Sequence, residues 1–246
     1  MRKILILTSI ILIYSNVVYA GLNVLLTAPT DEGYQTDILN GLSDFPDDFD
    51  SVVWWNMYPS NQPTLSDIET YDCVVTWPDY SFPDAANWGD TLADYVDGGG
   101  KVILCASCWF PGLNIDGRIL SDGYSPFLVG SGNWWTNADW DVDNPDEPGN
   151  PCLENINSLT CGFRDSSIPL ASWGHLVTHY QDDYENALAY NDNHTVAGIN
   201  ANPCRYGLEW DWTGDYPQAM RNTIVWLCSF TKIQPTSLGE LKARFK

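Results

Sequence analysis

Residues 98–109 read GGGKVILCASCW. Three glycines interrupt the chain, KVILCA (101–106) follows as an unbroken apolar run, and Cys105 closes it with Cys108 three positions on. A short continuous apolar run is what a strand covered on both faces requires, as in a parallel sheet. Immediately before it, residues 85–96 carry Trp88, Leu92 and Val96 at helical spacing, and Asp97 with the glycines forms the stop. The local unit is helix, tight turn, buried strand.

The same alternation continues in both directions. Upstream, LNVLLTA (22–28), SVVWW (51–55) and CVVTW (73–77) read as strands, and a helix over 34–42 sets Ile38, Leu39 and Leu42 on one face. Downstream, ALAY (187–190) and TVAGIN (195–200) read as short strands, and a helix is expected near 216–230. Strands alternating with helices imply right-handed crossovers and a mostly parallel sheet, hence an α/β fold. Residues 109–165, rich in Gly, Pro, Asp, Asn and Trp, follow neither period and are expected to be a long irregular insertion.

The ends differ in character. MRKILILTSIILIYSNVVYA (1–20) has a basic start, an apolar core and small residues at Val18 and Ala20, the pattern of an export signal. Its apolar stretch is short for a membrane span, and no later segment comes close. The chain is therefore expected to be secreted or periplasmic, with one α/β domain over 21–232 and a tail at 233–246, IQPTSLGELKARFK, serving as a linker or docking helix. A formal net charge of −21 argues against nucleic acid and anionic membranes as partners and suits divalent cations. Twelve tryptophans supply ample apolar area to bury, which excludes disorder.

Seven cysteines in an oxidising compartment should mostly pair, leaving at least one free. Cys152 and Cys161 flank a short loop and are the first expected disulfide, with Cys108 and Cys204 as a second candidate pair. Cys73 and Cys228, on apolar elements, are expected to be buried thiols.

LNVLLTA, YDCVVTW (71–77), ADYVDGGGKVILCA (93–106), TVAGIN and WTGDYPQAMRNTIVWL (212–227) together resemble the class I glutamine amidotransferase-like superfamily, in particular its secreted, ThuA-like branch. The resemblance implies a flavodoxin-like three-layer sandwich around one central, mostly parallel sheet. In active members a cysteine occupies a Gly-x-Cys-x-Gly elbow, and a His-Pro-Glu follows a late strand. Here Cys105 sits between Leu104 and Ala106, and TVAGIN is followed by Ala201-Asn202-Pro203. An asparagine amide cannot take a proton, so both catalytic stations of the family depart from its pattern.

Other residues could carry chemistry. His194, in the turn DNHT, is a candidate base for Cys105, and Asn193-His194-Thr195 fits a glycosylation sequon. His175 and His179 in SWGHLVTHY would share a helical face as metal ligands, but the β-branched stretch also suits a strand. Asp139, Asp141 and Asp143 in ADWDVDNPDEPGN (138–150) have a spacing that suits Ca²⁺, although Asn144 and Asn150 replace the EF-hand glycine and glutamate; the alternative is a solvated acidic loop. No other cofactor is implied. Trp109, Trp134, Trp135 and Trp140 would lie past the strand carboxyl ends, where ligands bind in such folds, as a saccharide platform or as a satellite core. Trp54, Trp77 and Trp226 are expected to pack inside.

Two function classes follow. One is an exported, non-catalytic recognition module for a carbohydrate or other cell-surface ligand. The other is a cysteine hydrolase or amidase using Cys105. A passenger module of a larger surface assembly also fits the tail.

Overall fold

The computed structural model describes residues 21–230 apart from Asp122 and the side chain of Trp134, so the expected signal at 1–20 and tail at 233–246 lie outside the described residues. The strands are β1 (Leu22–Ala28), β2 (Phe49–Asn56), β3 (Cys73–Thr76), β4 (Lys101–Cys105), β5 (Gly132–Asp139), β6 (Leu159–Ser166), β7 (Gly174–His179), β8 (Asn186–Asn191), β9 (Val196–Ile199) and β10 (Thr213–Gly214). The α-helices are α1 (Thr36–Ser43), α2 (Leu65–Ile68), α3 (Ala85–Gly98) and α4 (Tyr216–Ser229).

The main sheet runs in the order β2-β1-β3-β4-β9-β8-β7. Its first five strands pair in parallel, and β8 and β7 close it antiparallel. This is the flavodoxin-like order with an antiparallel extension. Strand alternation divides the apolar runs between two layers. Val24, Leu26, Val75 and Ile103 pack with Ile38, Leu42, Ile224 and Leu227 of α1 and α4. Leu25, Val74, Val102 and Leu104 pack with Trp88, Leu92 and Val96 of α3. The continuous hydrophobicity of LNVLL and KVIL is thus the need of strands buried on both sides. The glycine stop also behaves as its sequence requires: Gly99 caps α3 at φ +111°, a left-handed conformation that favours glycine.

Residues 109–165 are irregular over most of their length, but not throughout. They contain β5 and β6, which pair antiparallel and, with β10, form a second sheet in the order β10-β6-β5. Thr136 and Asn137 lie within a largely exposed strand, so no apolar alternation marks it in the sequence. Its partner β6 is supplied from more than twenty residues away, and that pairing outweighs local preference.

Candidate functional site

In an open α/β sheet, ligands settle past the strand carboxyl ends, where the strand order reverses. Here that point lies between β1 and β3. A cleft of about 310 Å³ opens there. Thr30, Asp31 and Tyr34 reach it from the segment after β1, and Asp79 and Tyr80 from the segment after β3. The second sheet contributes Trp135 and Phe163, and the loop after β9 contributes Tyr206 and Trp210. Trp135 is 54% exposed, yet its ring is held: it stacks on Phe163 at 4.6 Å and 17°, and meets Trp210 edge-on at 5.8 Å. A second exposed pair, Tyr58 and Tyr80, meets at 4.8 Å.

Asp79 anchors the polar side of the cleft. Its Oδ1 accepts from Asn202 Nδ2 at 2.8 Å and from the Tyr206 hydroxyl at 2.5 Å, while Oδ2 is buried without a hydrogen-bond partner. Burial, then the Asp79 charge, push the Tyr206 phenol well above its usual value, so it stays a neutral donor. Asp31 accepts from the Tyr80 hydroxyl at 2.8 Å. The sequence carries little sign of this cluster, because Asp79 and Tyr206 stand 127 positions apart. The aromatic density of RYGLEWDW (205–212) is the one available hint.

At the head of β4, Cys105 is fully buried and faces the α1–α4 layer. Burial pushes its thiol well up, outweighing the nearby Tyr216 hydroxyl, which lowers it. His194 is no base for it. β4 and β9 pair in parallel from Val102↔Val196 to Cys105↔Ile199, about 10 Å of strand, with Cys105 at the carboxyl end and His194 two residues before the amino end. The His194 ring stacks instead on Phe230 at 4.1 Å and Tyr190 at 4.9 Å. His179 lies on β7, three strand spacings or about 14 Å across the sheet from β4.

The strained residue of this turn is Ser107, two positions after Cys105. It is fully buried at φ +73°, and its hydroxyl has no hydrogen-bond partner. The amides around it are taken. Asp165 accepts from Ser107 N–H at 2.9 Å and Trp109 N–H at 3.0 Å, and Cys108 N–H donates to the Cys105 carbonyl at 3.1 Å. Burial raises the Asp165 carboxyl to about 7, against those two backbone bonds, which lower it. The small residues of CASC, two positions past the strand, are the sequence signal of an elbow centred on Ser107.

The other sequence candidates separate. Trp109 and Trp140 are 0% and 1% exposed, so they are core residues and no platform. The Trp134 side chain lies outside the described residues. Asp139, Asp141 and Asp143 do not converge: Asp139 accepts from the Thr160 hydroxyl, Asp141 accepts from Asn144 N–H and faces His179 at 3.6 Å, and Asp143 is exposed. His175 pairs with Asp192 at 2.6 Å and His179 with Asp146 at 2.7 Å, both from a strand and not a helix. Among the described residues, no group of three His, Cys, Asp or Glu side chains is placed to hold a metal ion.

All seven cysteines are free thiols, which overturns the Cys152–Cys161 disulfide. Cys161 Sγ on β6 turns to the Phe163 carbonyl at 3.4 Å, while the Cys152 thiol sits beside Thr223 of α4. Burial pushes both to about 12. Cys108 and Cys204 pack in the two layers on opposite sides of the sheet, which excludes that pair as well. Cys228 alone is partly exposed. In native protein, iodoacetamide is expected to modify Cys228 first and leave Cys105 untouched until the chain is unfolded; peptide mapping checks this.

No family model and no curated protein matches the chain. Solved structures do. A ThuA-like protein from Bacteroides uniformis superposes with a TM-score of 0.58 over 89% of this chain and 96% of its own, at 13% identity. One from Parabacteroides merdae gives 0.56 over 87% and 92%, also at 13% identity. The fold is ThuA-like. In that fold the cleft described above lies at the β1–β3 switch and the Ser107 turn lies at the end of β4.

Proposed function

We propose that this chain is an exported, non-catalytic recognition module that binds carbohydrate in the cleft at the strand carboxyl ends. The carrying observation is the Trp135 ring, half exposed and clamped by Phe163 and Trp210 beside the carboxylates of Asp31 and Asp79. An indole fixed before binding presents a flat apolar face to a sugar ring at low entropic cost, and adjacent carboxylates accept from its hydroxyls. The apolar leader at 1–20 supports export.

The hydrolase reading has less support. Cys105 is sealed and has no imidazole at its end of β4. At the neighbouring turn, the Asp165 carboxyl occupies the amides of Ser107 and Trp109, so they are not free to donate to the oxyanion that an acyl-transfer transition state develops. A glycan array followed by calorimetry tests the binding reading. Trp135→Ala is expected to weaken the best ligand by about 10- to 100-fold with little change in thermal midpoint, as stacking on an aromatic face carries about 1–3 kcal/mol. An array silent across all saccharide classes removes the proposal.

A further inference from the structure

The charge of the cleft narrows the class of sugar. Both ionisable groups on its polar side, Asp31 and Asp79, are acids, and no Lys, Arg or His is among the described residues that line it. Among the described residues, arginines form ion pairs with Asp37, Asp48, Asp94, Asp97 and Asp183, none of which lines the cleft. The groups that do reach the two cleft carboxylates are neutral: the Tyr80 hydroxyl on Asp31, and the Asn202 amide and Tyr206 hydroxyl on Asp79. Neutral donors satisfy lone pairs and leave the charge in place. Asp79 Oδ2 is buried and makes no hydrogen bond of its own, with the neutral Cys204 thiol beside the carboxyl, so no cation among the described residues offsets its charge from within the fold.

The walls favour the same sign. Tyr34, Tyr80, Trp135, Phe163, Tyr206 and Trp210 line the cleft, and the faces of such rings attract cations. Low-dielectric aromatic walls also concentrate the field of the carboxylates within a narrow space. A uronate or sulfated sugar would be repelled there. A neutral sugar would be tolerated, and a protonated amine would be held by both the carboxylates and the rings.

We propose that the cleft selects a sugar bearing a free protonated amine, a hexosamine, over neutral and acidic sugars; the inference rests on the carbohydrate reading above. Three β-1,4-linked trimers test it: the glucosamine trimer, its fully N-acetylated form, and the glucose trimer. They share a backbone and differ at the C2 substituent. Calorimetry at a pH where the amine is protonated is expected to show one site per chain and at least about tenfold tighter binding of the glucosamine trimer. That preference should fall several-fold in Asp31→Asn and in Asp79→Asn, and also when salt is raised to about 1 M. Asp31 is exposed, so its variant remains informative if the Asp79 variant folds poorly.

Equal or tighter binding of either uncharged trimer overturns amine selection while leaving carbohydrate binding intact. Absence of binding by all three trimers overturns amine selection, and the carbohydrate reading then stands or falls by the glycan array. Choline binding as tightly as the glucosamine trimer would assign the cleft to organic cations in general and remove the sugar from the inference. A preference that survives Trp135→Ala, or a stoichiometry above one, would trace to general attraction by the acidic chain and overturn the site.

Discussion

Replacing Asp165 with alanine is expected to destabilise the protein by about 2–6 kcal/mol, because two buried backbone N–H groups lose their acceptor at once. Ser107 N–H and Trp109 N–H point at that carboxylate, and its residue is fully buried, so water cannot replace it without opening the turn. The loss should appear in urea as a lower midpoint at unchanged slope. A deficit below about 1 kcal/mol would mean that the turn holds itself. The effect also has a pH signature. The carboxyl is raised to about 7, chiefly by burial, with Glu185 adding to the rise. Between about 4 and 7 the folded chain therefore keeps a proton that the unfolded chain releases. This group's contribution to stability is full below that window and is lost as pH rises through it. The deficit of Asp165→Ala should accordingly shrink from pH 5 to pH 8.

Trp109→Ala is expected to cost a similar amount, about 3–5 kcal/mol, and to leave sugar affinity per folded molecule unchanged. Its ring is fully buried, donates through Nε1 to the Ser125 hydroxyl at 3.0 Å, and meets Phe127 edge-on at 5.0 Å. Gly198 on β9 shows how closely these rings press on the sheet. A Cβ there would come within 2.6 Å of the Phe127 ring and 3.1 Å of Trp109. The contrast with Trp135→Ala separates a core indole from a presented one: the first variant moves the unfolding midpoint, the second the binding isotherm. Loss of binding in Trp109→Ala at full stability would place the platform deeper than the cleft described here.

The two tryptophans also show where sequence reasoning stops. β1, β3 and β4 were legible because strands buried on both faces need apolar residues at every position, as LNVLL, CVVT and KVIL supply. The α3 stop was legible because only glycine sits easily at φ +111°. Trp109 and Trp135 carry no such mark. Trp135 is presented through the pairing of β5 with β6, segments whose polar residues hide their period, and Trp109 is sealed by Ser125 and Phe127 from the loop beyond β4. The same holds at the head of β4. The strand end could be placed at Cys105, but the positive φ falls at Ser107, and its capping carboxylate comes from Asp165, over fifty positions away. The expected disulfide failed for a related reason: proximity along the chain says nothing about which way two sulfurs turn once one belongs to a strand and the other to a helical turn.

The free thiols have a consequence for the order of events after synthesis. On the export reading, the chain reaches an oxidising medium with seven reactive sulfurs and no native bridge to form. Folding puts the sheet between Cys108 and Cys204 and seals six of the seven. Before that, any two can meet and crosslink into a form that cannot close around them. On that reading the core has to assemble faster than air oxidises it, and prompt folding takes the place of the safeguard that disulfides provide in many exported proteins.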